Sequence, residues 1–297
     1  MQEVRVPASV SQEHRQTYVE NYSRITKGTD RLFLFAGDQK IEHLNADFYG
    51  EGIHIDDADP EHLFRIAKQG DVGVFAAQHG LISAYARDYP NVPYLVKMNS
   101  RSPLVKHVDP VSTQLVDFYH VLSLRKNGVP VTGIGYTIYL GSEFENIMFA
   151  EAGRLIADAH RHGMVAIIWL YPRGKAVSNE HTPEIISGAC GVAASLGADF
   201  VKVIPPNNPQ GHPDASLLSI AARAAGRTGV ITSGGSRVSR EEYLSRTAEQ
   251  LSYGTRGLAA GRNVHQHSLS EAVKLCKAIN ALLIEGKSVE EAQQMMR

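Results

Sequence analysis

Only two cysteines, Cys190 and Cys276, occur among the 297 residues. Two thiols cannot build a disulfide framework or a cysteine zinc site, and the expected setting is reducing and cytoplasmic. Excess charge of either sign is also missing: 30 Lys and Arg stand against 31 Asp and Glu, for a formal net charge of −1. Nucleic acids and anionic membranes both select a basic excess, so neither is expected as a partner. The longest apolar run, residues 164–171, falls far short of the ~20 residues that span a bilayer. The chain opens on mixed charged and polar residues without an apolar stretch of signal-peptide length. No linker rich in Pro, Gly or Ser and no low-complexity segment divides it. These absences predict one soluble domain over residues 1–297, with an N-terminal extension at 1–30 and closing helices at 268–297.

What is present is a large apolar fraction, 43% against 21% charged residues, as in a globular protein with a substantial core. Short apolar or β-branched runs predict strands over 32–36, 72–77, 94–98, 132–139, 165–171, 200–204, 229–232 and 258–260. They are continuous rather than alternating, which suits parallel strands covered on both faces. Helices are predicted between them over 60–69, 111–126, 144–162, 183–196, 217–225 and 239–250. Asp59-Pro60 and Thr182-Pro183 place a capping side chain before a first-turn proline, and Gly163 and Gly197 read as C-terminal stops. Eight strands joined by right-handed crossovers predict an α/β fold, a parallel eight-stranded (β/α)8 TIM barrel. An open doubly wound sheet is the alternative, and the lack of G-x-G-x-x-G after the first strand counts against its dinucleotide-binding form.

In such a barrel the chemistry sits at the carboxyl ends of the strands. There the chain carries Gly37-Asp38-Gln39-Lys40-Ile41-Glu42-His43, Trp169-Leu170-Tyr171-Pro172-Arg173-Gly174, Ser233-Gly234-Gly235-Ser236-Arg237 and Gly261-Arg262-Asn263. Strand six holds a lysine, Lys202, on the opposite face from Val201 and Val203. If the valines pack outward, Lys202 points into the barrel, where desolvation favours the neutral amine that attacks carbonyls. It could equally pair with an interior carboxylate. Trp169 and Tyr171 share a face beside it: the phenol can relay protons and the indole can exclude water, or both can form a core aromatic layer. Asp38 is a candidate proton acceptor or a capping carboxylate. The glycines of Ser233–Ser236 allow backbone N–H groups to converge on an anion, Arg237 is expected to open the next helix, and Gly261-Arg262 repeats the device. His43 and His79 are expected near the mouth. His265 and His267 could supply two metal ligands but read instead as exposed loop histidines, while His160 and His162 do not share a helix face. No metal set emerges.

Taken together and in this order, Asp-Gln-x-x-Glu-His at 38–43, Trp-x-Tyr-Pro-Arg-Gly at 169–174, the segment ending Phe-Val-Lys-Val at Val203, Ser-Gly-Gly at 233–235 and Gly-Arg-Asn at 261–263 resemble the archaeal-type class I fructose-bisphosphate aldolases of the DhnA/DeoC-like superfamily. The resemblance implies reversible cleavage of fructose 1,6-bisphosphate to dihydroxyacetone phosphate and glyceraldehyde 3-phosphate through a Schiff base on Lys202, with no cofactor. It implies that Tyr171 transfers protons, that Asp38 is the active-site carboxylate and that Trp169 lies beside the imine. Ser233, Gly234, Gly235, Ser236, Arg237, Gly261, Arg262 and His43 are expected to bind substrate or phosphate. It also implies a homo-oligomer. Leu44-Asn45 after His43, the 203–206 segment and Arg237 depart from the family pattern and leave the aldehyde half open. Related phosphosugar aldolases, a transaldolase-like or thiolase member, an amino-dideoxy-heptulosonate synthase, or a metal-dependent lyase on the same barrel are the alternatives.

Overall fold

The computed structural model describes residues 3–297; the first two residues of the predicted extension lie outside them. Eight parallel strands close into a barrel: β1 (Leu32–Ala36), β2 (Val74–Gln78), β3 (Tyr94–Lys97), β4 (Val131–Leu140), β5 (Val165–Pro172), β6 (Phe200–Val203), β7 (Gly229–Ser233) and β8 (Gly257–Ala260). Each pairs with the next, and β8 returns to β1. The continuous apolar runs are explained by two separate cores. Leu34, Ala76, Leu95, Ile167, Trp169, Phe200 and Ile231 fill the barrel, while Phe35, Phe75, Val96, Ile168, Val201 and Val203 pack outward on the helices. Trp169 fits inside because Gly135 on β4 has no side chain; a Cβ there would lie 2.4 Å from the indole.

The predicted helices at Pro60–Gln69 and Pro183–Leu196 form as expected, with Asp59 and Thr182 accepting from the N–H groups of Glu61 and Ile185. Gly163 and Gly197 stand in left-handed conformations just beyond their helices. The helix expected over 111–126 begins only at Phe118. Asn99 captures the preceding stretch: its Nδ2 donates to the carbonyls of Ser112 and Thr137, each at 2.8 Å, so that residues 99–117 run as a long loop over the barrel mouth. Arg237 does not open a helix; Ser239 caps the one that starts at Arg240.

The N-terminal extension is itself structured. Its helix, Arg15–Thr26, carries Tyr18 and Ile25 into the inner core and closes the amino end of the barrel. Tyr18 donates to Asp199 Oδ1 at 2.5 Å, and His160 meets Oδ2 of the same carboxylate at 3.0 Å. This anchors the extension three residues before Lys202. A cavity of about 400 Å³ remains under that helix, lined in part by Tyr22, Arg227 and Arg256, and no residue from the carboxyl ends of the strands reaches it. Among the described residues no helix is long and apolar enough to cross a membrane.

Candidate active site

At the carboxyl end lies a cavity of about 490 Å³. Lys202, Tyr171, Asp38, His43, Ser233, Gly234, Gly235, Gly261 and Arg262 line it, so the strand-end positions converge as the sequence predicts. Trp169 lies just beneath, paired in register with Lys202 across β5 and β6. Ser236 and Arg237 do not line the cavity. Arg237 turns outward, donating to the Gly52 carbonyl and approaching His267 Nδ1 at 3.4 Å. His79 is also outside it, ring to ring with His120 on the barrel exterior.

Lys202 is 7% exposed and points into the barrel, as the outward packing of Val201 and Val203 requires. Among the described residues it has no ion pair and no hydrogen bond. Burial holds its ammonium below the usual lysine range; Asp38 and Glu42 oppose this, while Lys97 and Arg262 add to it.

The reason Lys202 stays unpaired is a residue that the sequence analysis did not single out. Lys97, at the end of β3 and fully buried, takes both nearby carboxylates: Glu42 Oε1 at 2.9 Å and Asp38 Oδ2 at 3.3 Å. Burial works against its charge, but the two carboxylates outweigh it and raise its affinity for the proton. Trp169, the only tryptophan of the chain, separates the two amines. Its ring is 5.3 Å from Lys97 Nζ and 5.4 Å from Lys202 Nζ. One lysine is therefore committed as a cation and the other is left as a candidate amine. The signal for Lys97 was available: a lysine closing an apolar run, Tyr-Leu-Val-Lys, at a strand end.

Tyr171 presents its phenol to the same space. Burial raises it above the usual tyrosine range, Glu42 and Asp38 add to this, and Lys97 and Arg173 oppose it. The phenol is thus held protonated, a donor at neutral pH. Asp38 accepts through its backbone carbonyl from Gln78 Nε2 at 2.8 Å, and its Oδ2 accepts no hydrogen bond.

The glycine-rich loop is shaped by Asn263. Its Nδ2 donates to the carbonyls of Gly234 at 2.9 Å and Ser236 at 3.2 Å, and its Oδ1 accepts from Val238 N. With those carbonyls tied down, the N–H groups of Gly235 and Ser236 have no acceptor among the described residues, an arrangement suited to an anion. Gly235 takes a left-handed φ of +66°. Arg262 braces the loop, donating to the Gly235 carbonyl at 3.1 Å and facing Asp47 at 3.6 Å. Burial alone would raise the Asp47 carboxyl, but His43 and Arg262 hold it below the usual range. Across the cavity, Arg101, Lys106 and Arg173 form a second basic rim, also unread in the sequence.

The histidines expected to be exposed are not. His265 and His267 are 0% and 9% exposed, tucked behind the loop. No three His, Cys, Asp or Glu side chains gather in a way that could hold a metal ion among the described residues.

Comparison with known proteins agrees with this geometry. Residues 32–267 match the model of the DeoC/LacD family aldolases. The chain is 53% identical over 98% of its length, and 93% of the relative's, to a protein of Methanocaldococcus jannaschii named fructose-bisphosphate aldolase/6-deoxy-5-ketofructose 1-phosphate synthase. It is 34% identical over 92% of its length, and 97% of the other, to a class 1 fructose-bisphosphate aldolase of Thermoproteus tenax. Among solved structures, the fructose-bisphosphate aldolase of Slackia heliotrinireducens superposes with a TM-score of 0.96 at 54% identity, covering 99% of this chain and 94% of that one. An archaeal fructose-1,6-bisphosphate aldolase whose catalytic lysine is covalently bound to the carbinolamine intermediate gives 0.76 at 32% identity, covering 90% and 99%.

Proposed function

The chain belongs to the DeoC/LacD family of aldolases, and from that premise we propose that it is a class I fructose-bisphosphate aldolase, with Lys202 as the imine-forming residue. The observation that carries the reading is the division of labour between the lysines: Lys97 holds both carboxylates, and Lys202 is buried without a counter-ion among the described residues.

In the cleavage direction, neutral Lys202 Nζ attacks the C2 carbonyl of the open-chain sugar, and the carbinolamine loses water to give an iminium. Tyr171, on the adjacent strand and held protonated, donates to the departing hydroxyl. Asp38 Oδ2 takes the C4 hydroxyl proton, the C3–C4 bond breaks, and its electron pair moves into the iminium to leave an enamine. Glyceraldehyde 3-phosphate departs. The proton held by Asp38 passes through Tyr171, left as phenolate by the dehydration, to C3 of the enamine; water then adds at C2, returning a proton to Tyr171, and dihydroxyacetone phosphate and the free amine are released. Trp169 closes the floor beneath both amines and keeps water from Lys202. The loop Ser233–Gly235 with Gly261 and Arg262 takes the phosphate on the C1 side. Arg101, Lys106 and Arg173 take the other, and holding both ends fixes C2 over the lysine.

The double name of the Methanocaldococcus relative favours one extension. The same enamine, handed to a different aldehyde at the second rim, would make a deoxy-ketosugar phosphate. We read the protein as a cytoplasmic homo-oligomer, with one catalytic domain spanning the chain. The test is borohydride reduction in the presence of dihydroxyacetone phosphate, followed by peptide mass mapping. A reduced adduct on the peptide containing Lys202, absent in Lys202→Arg, is expected; an adduct on Lys97, or none, would overturn the assignment.

A further inference from the structure

The end of β4 carries a second phenol that the mechanism above does not use. The inward positions of that strand are Gly133, Gly135, Thr137 and Tyr139. Thr137 is level with Trp169 and Lys202, and Tyr139 is level with Tyr171. Two residues along a strand advance by about 7 Å, so the two phenols form a layer nearer the mouth than the imine-forming amine. Their rings lie side by side, with 6.4 Å between centroids and 30° between planes.

Tyr139 is buried and lines the cavity. Its hydroxyl has no hydrogen-bond partner among the described residues and is not closed off from the cavity. A buried phenol usually finds a partner within the protein; this one is left to the ligand. Burial raises it above the usual tyrosine range, Glu42 adds to this, and Lys97 and Arg101 oppose it. The group therefore stays protonated at neutral pH and can both donate and accept.

Its place in the barrel says which part of the sugar it meets. Going round from Lys202 on β6, Tyr171 comes first, on β5, and Tyr139 next, on β4. Beyond it stands the second basic rim: the Arg101 guanidinium lies 5.8 Å from the centre of the Tyr139 ring. Tyr139 thus occupies the stretch between the phenol that serves C2 and C3 and the arginine that takes the far phosphate. A sugar held at both ends lays its C4–C6 half along that stretch. Asp38 takes the C4 hydroxyl, and the C5 hydroxyl has no other partner in the mechanism.

We infer that Tyr139 is a specificity-determining residue whose hydroxyl hydrogen-bonds the C5 hydroxyl of fructose 1,6-bisphosphate, the 2-hydroxyl of the aldehyde product. In the direction of synthesis this contact selects phosphorylated 2-hydroxyaldehydes over aldehydes that lack the hydroxyl. Tyr139 has no part in imine formation, because dihydroxyacetone phosphate spans only C1–C3 and ends short of it.

This inference rests on the aldolase reading for the course of the sugar across the mouth. The experiment measures initial cleavage rates of the full chain and of Tyr139→Phe with fructose 1,6-bisphosphate and with its 5-deoxy analogue. Borohydride trapping with dihydroxyacetone phosphate is run on both proteins. Tyr139→Phe keeps the ring beside Tyr171 and Arg101 and removes only the hydroxyl. With fructose 1,6-bisphosphate kcat/KM should fall about tenfold, the worth of one neutral hydrogen bond. With the 5-deoxy analogue, which has nothing for the phenol to hold, it should stay within about twofold of the parent value. The preference for the hydroxylated substrate shrinks accordingly. Trapping on Lys202 should be unchanged.

An equal fall for both substrates overturns the proposal, because the loss would then not depend on the C5 hydroxyl. An unchanged rate with fructose 1,6-bisphosphate does so too. Weaker trapping in Tyr139→Phe also overturns it, since the phenol would then serve the imine half. If the parent protein gives no adduct on Lys202, the aldolase reading falls and this inference with it. If the adduct forms but the preference persists in Tyr139→Phe, this inference alone falls.

Discussion

Two lysines separated by one indole pose the central question at the level of single residues, because burial alone should discharge either of them. Geometry decides between them. Lys97 has Glu42 and Asp38 within ion-pair distance, and Lys202 has neither. An opposite charge within ~4–6 Å moves a pKa by about 1–3 units, comparable with the effect of burial, so the carboxylates win at Lys97 and burial wins at Lys202. Replacing Lys97 tests the arrangement. In Lys97→Met a positive neighbour disappears and two carboxylates lose their partner, and both changes raise the Lys202 pKa. The reactive neutral amine exists only above that pKa, so the acidic limb of the kcat/KM profile should move to higher pH by about one unit or more. Borohydride trapping should follow the same shift. An acidic limb that does not move would show that Lys97 does not control the amine. The sequence disclosed Lys202 through the valines flanking it, which fix its face. It concealed the role of Lys97, because its two partners come from the segment after β1, two strands away in the barrel, and no local pattern links them.

The elements behind the glycine-rich loop carry a stability cost that can be read by titration. His267, next to the start of the long helix Leu269–Leu283, has Nε2 buried without a partner. Burial, with Arg237 and Arg240 nearby and only partly offset by Glu271, lowers its pKa to about 4 from the usual histidine value of 6.5. Between those two values the unfolded chain binds a proton that the folded chain refuses, so stability falls as pH drops through that window and levels off below it. At ~1.4 kcal/mol per unit of pH the loss is about 3 kcal/mol, and His62, lowered in the same direction, deepens it. The difference in denaturant midpoint between pH 7 and pH 4.5 should shrink clearly in His267→Gln; a difference as large as that of the parent protein would rule the histidine out. This is also where element-level prediction failed. Strands and capped helices were legible because caps, stops and apolar runs are local. The burial of His265 and His267 was not, since their cover comes from residues 47–62, some two hundred positions earlier. The stretch at 111–117 was likewise misread. Asn99 redirects the chain from the end of β3, a long-range tie that the local run does not show.

For the whole molecule, a formal net charge of −1 hides a strong separation of sign. The barrel gathers Arg101, Lys106, Arg173 and Arg262 around one mouth, with Arg173 also paired to Glu180 and Arg262 facing Asp47, while the carboxylates lining it among the described residues, Asp38 and Glu42, are already bound to Lys97 beneath. A near-neutral chain thus presents a basic cavity, which composition could not reveal because it sums over the surface. Charges lining one cavity focus their field and speed the arrival of anionic ligands. That field is screened over about 8 Å at physiological ionic strength and about 3 Å at 1 M salt. For fructose 1,6-bisphosphate, kcat/KM should therefore fall steeply as sodium chloride rises, while kcat, which describes the bound complex, should change little. The dependence should weaken for a sugar with a single phosphate. It should weaken similarly in a variant with Arg101 and Lys106 both changed to Gln, because one of the two basic rims then has less to screen. Equal salt slopes for the mono- and bisphosphate would mean that the second rim does not steer the substrate, and the assignment of the second phosphate to Arg101, Lys106 and Arg173 would fall with it.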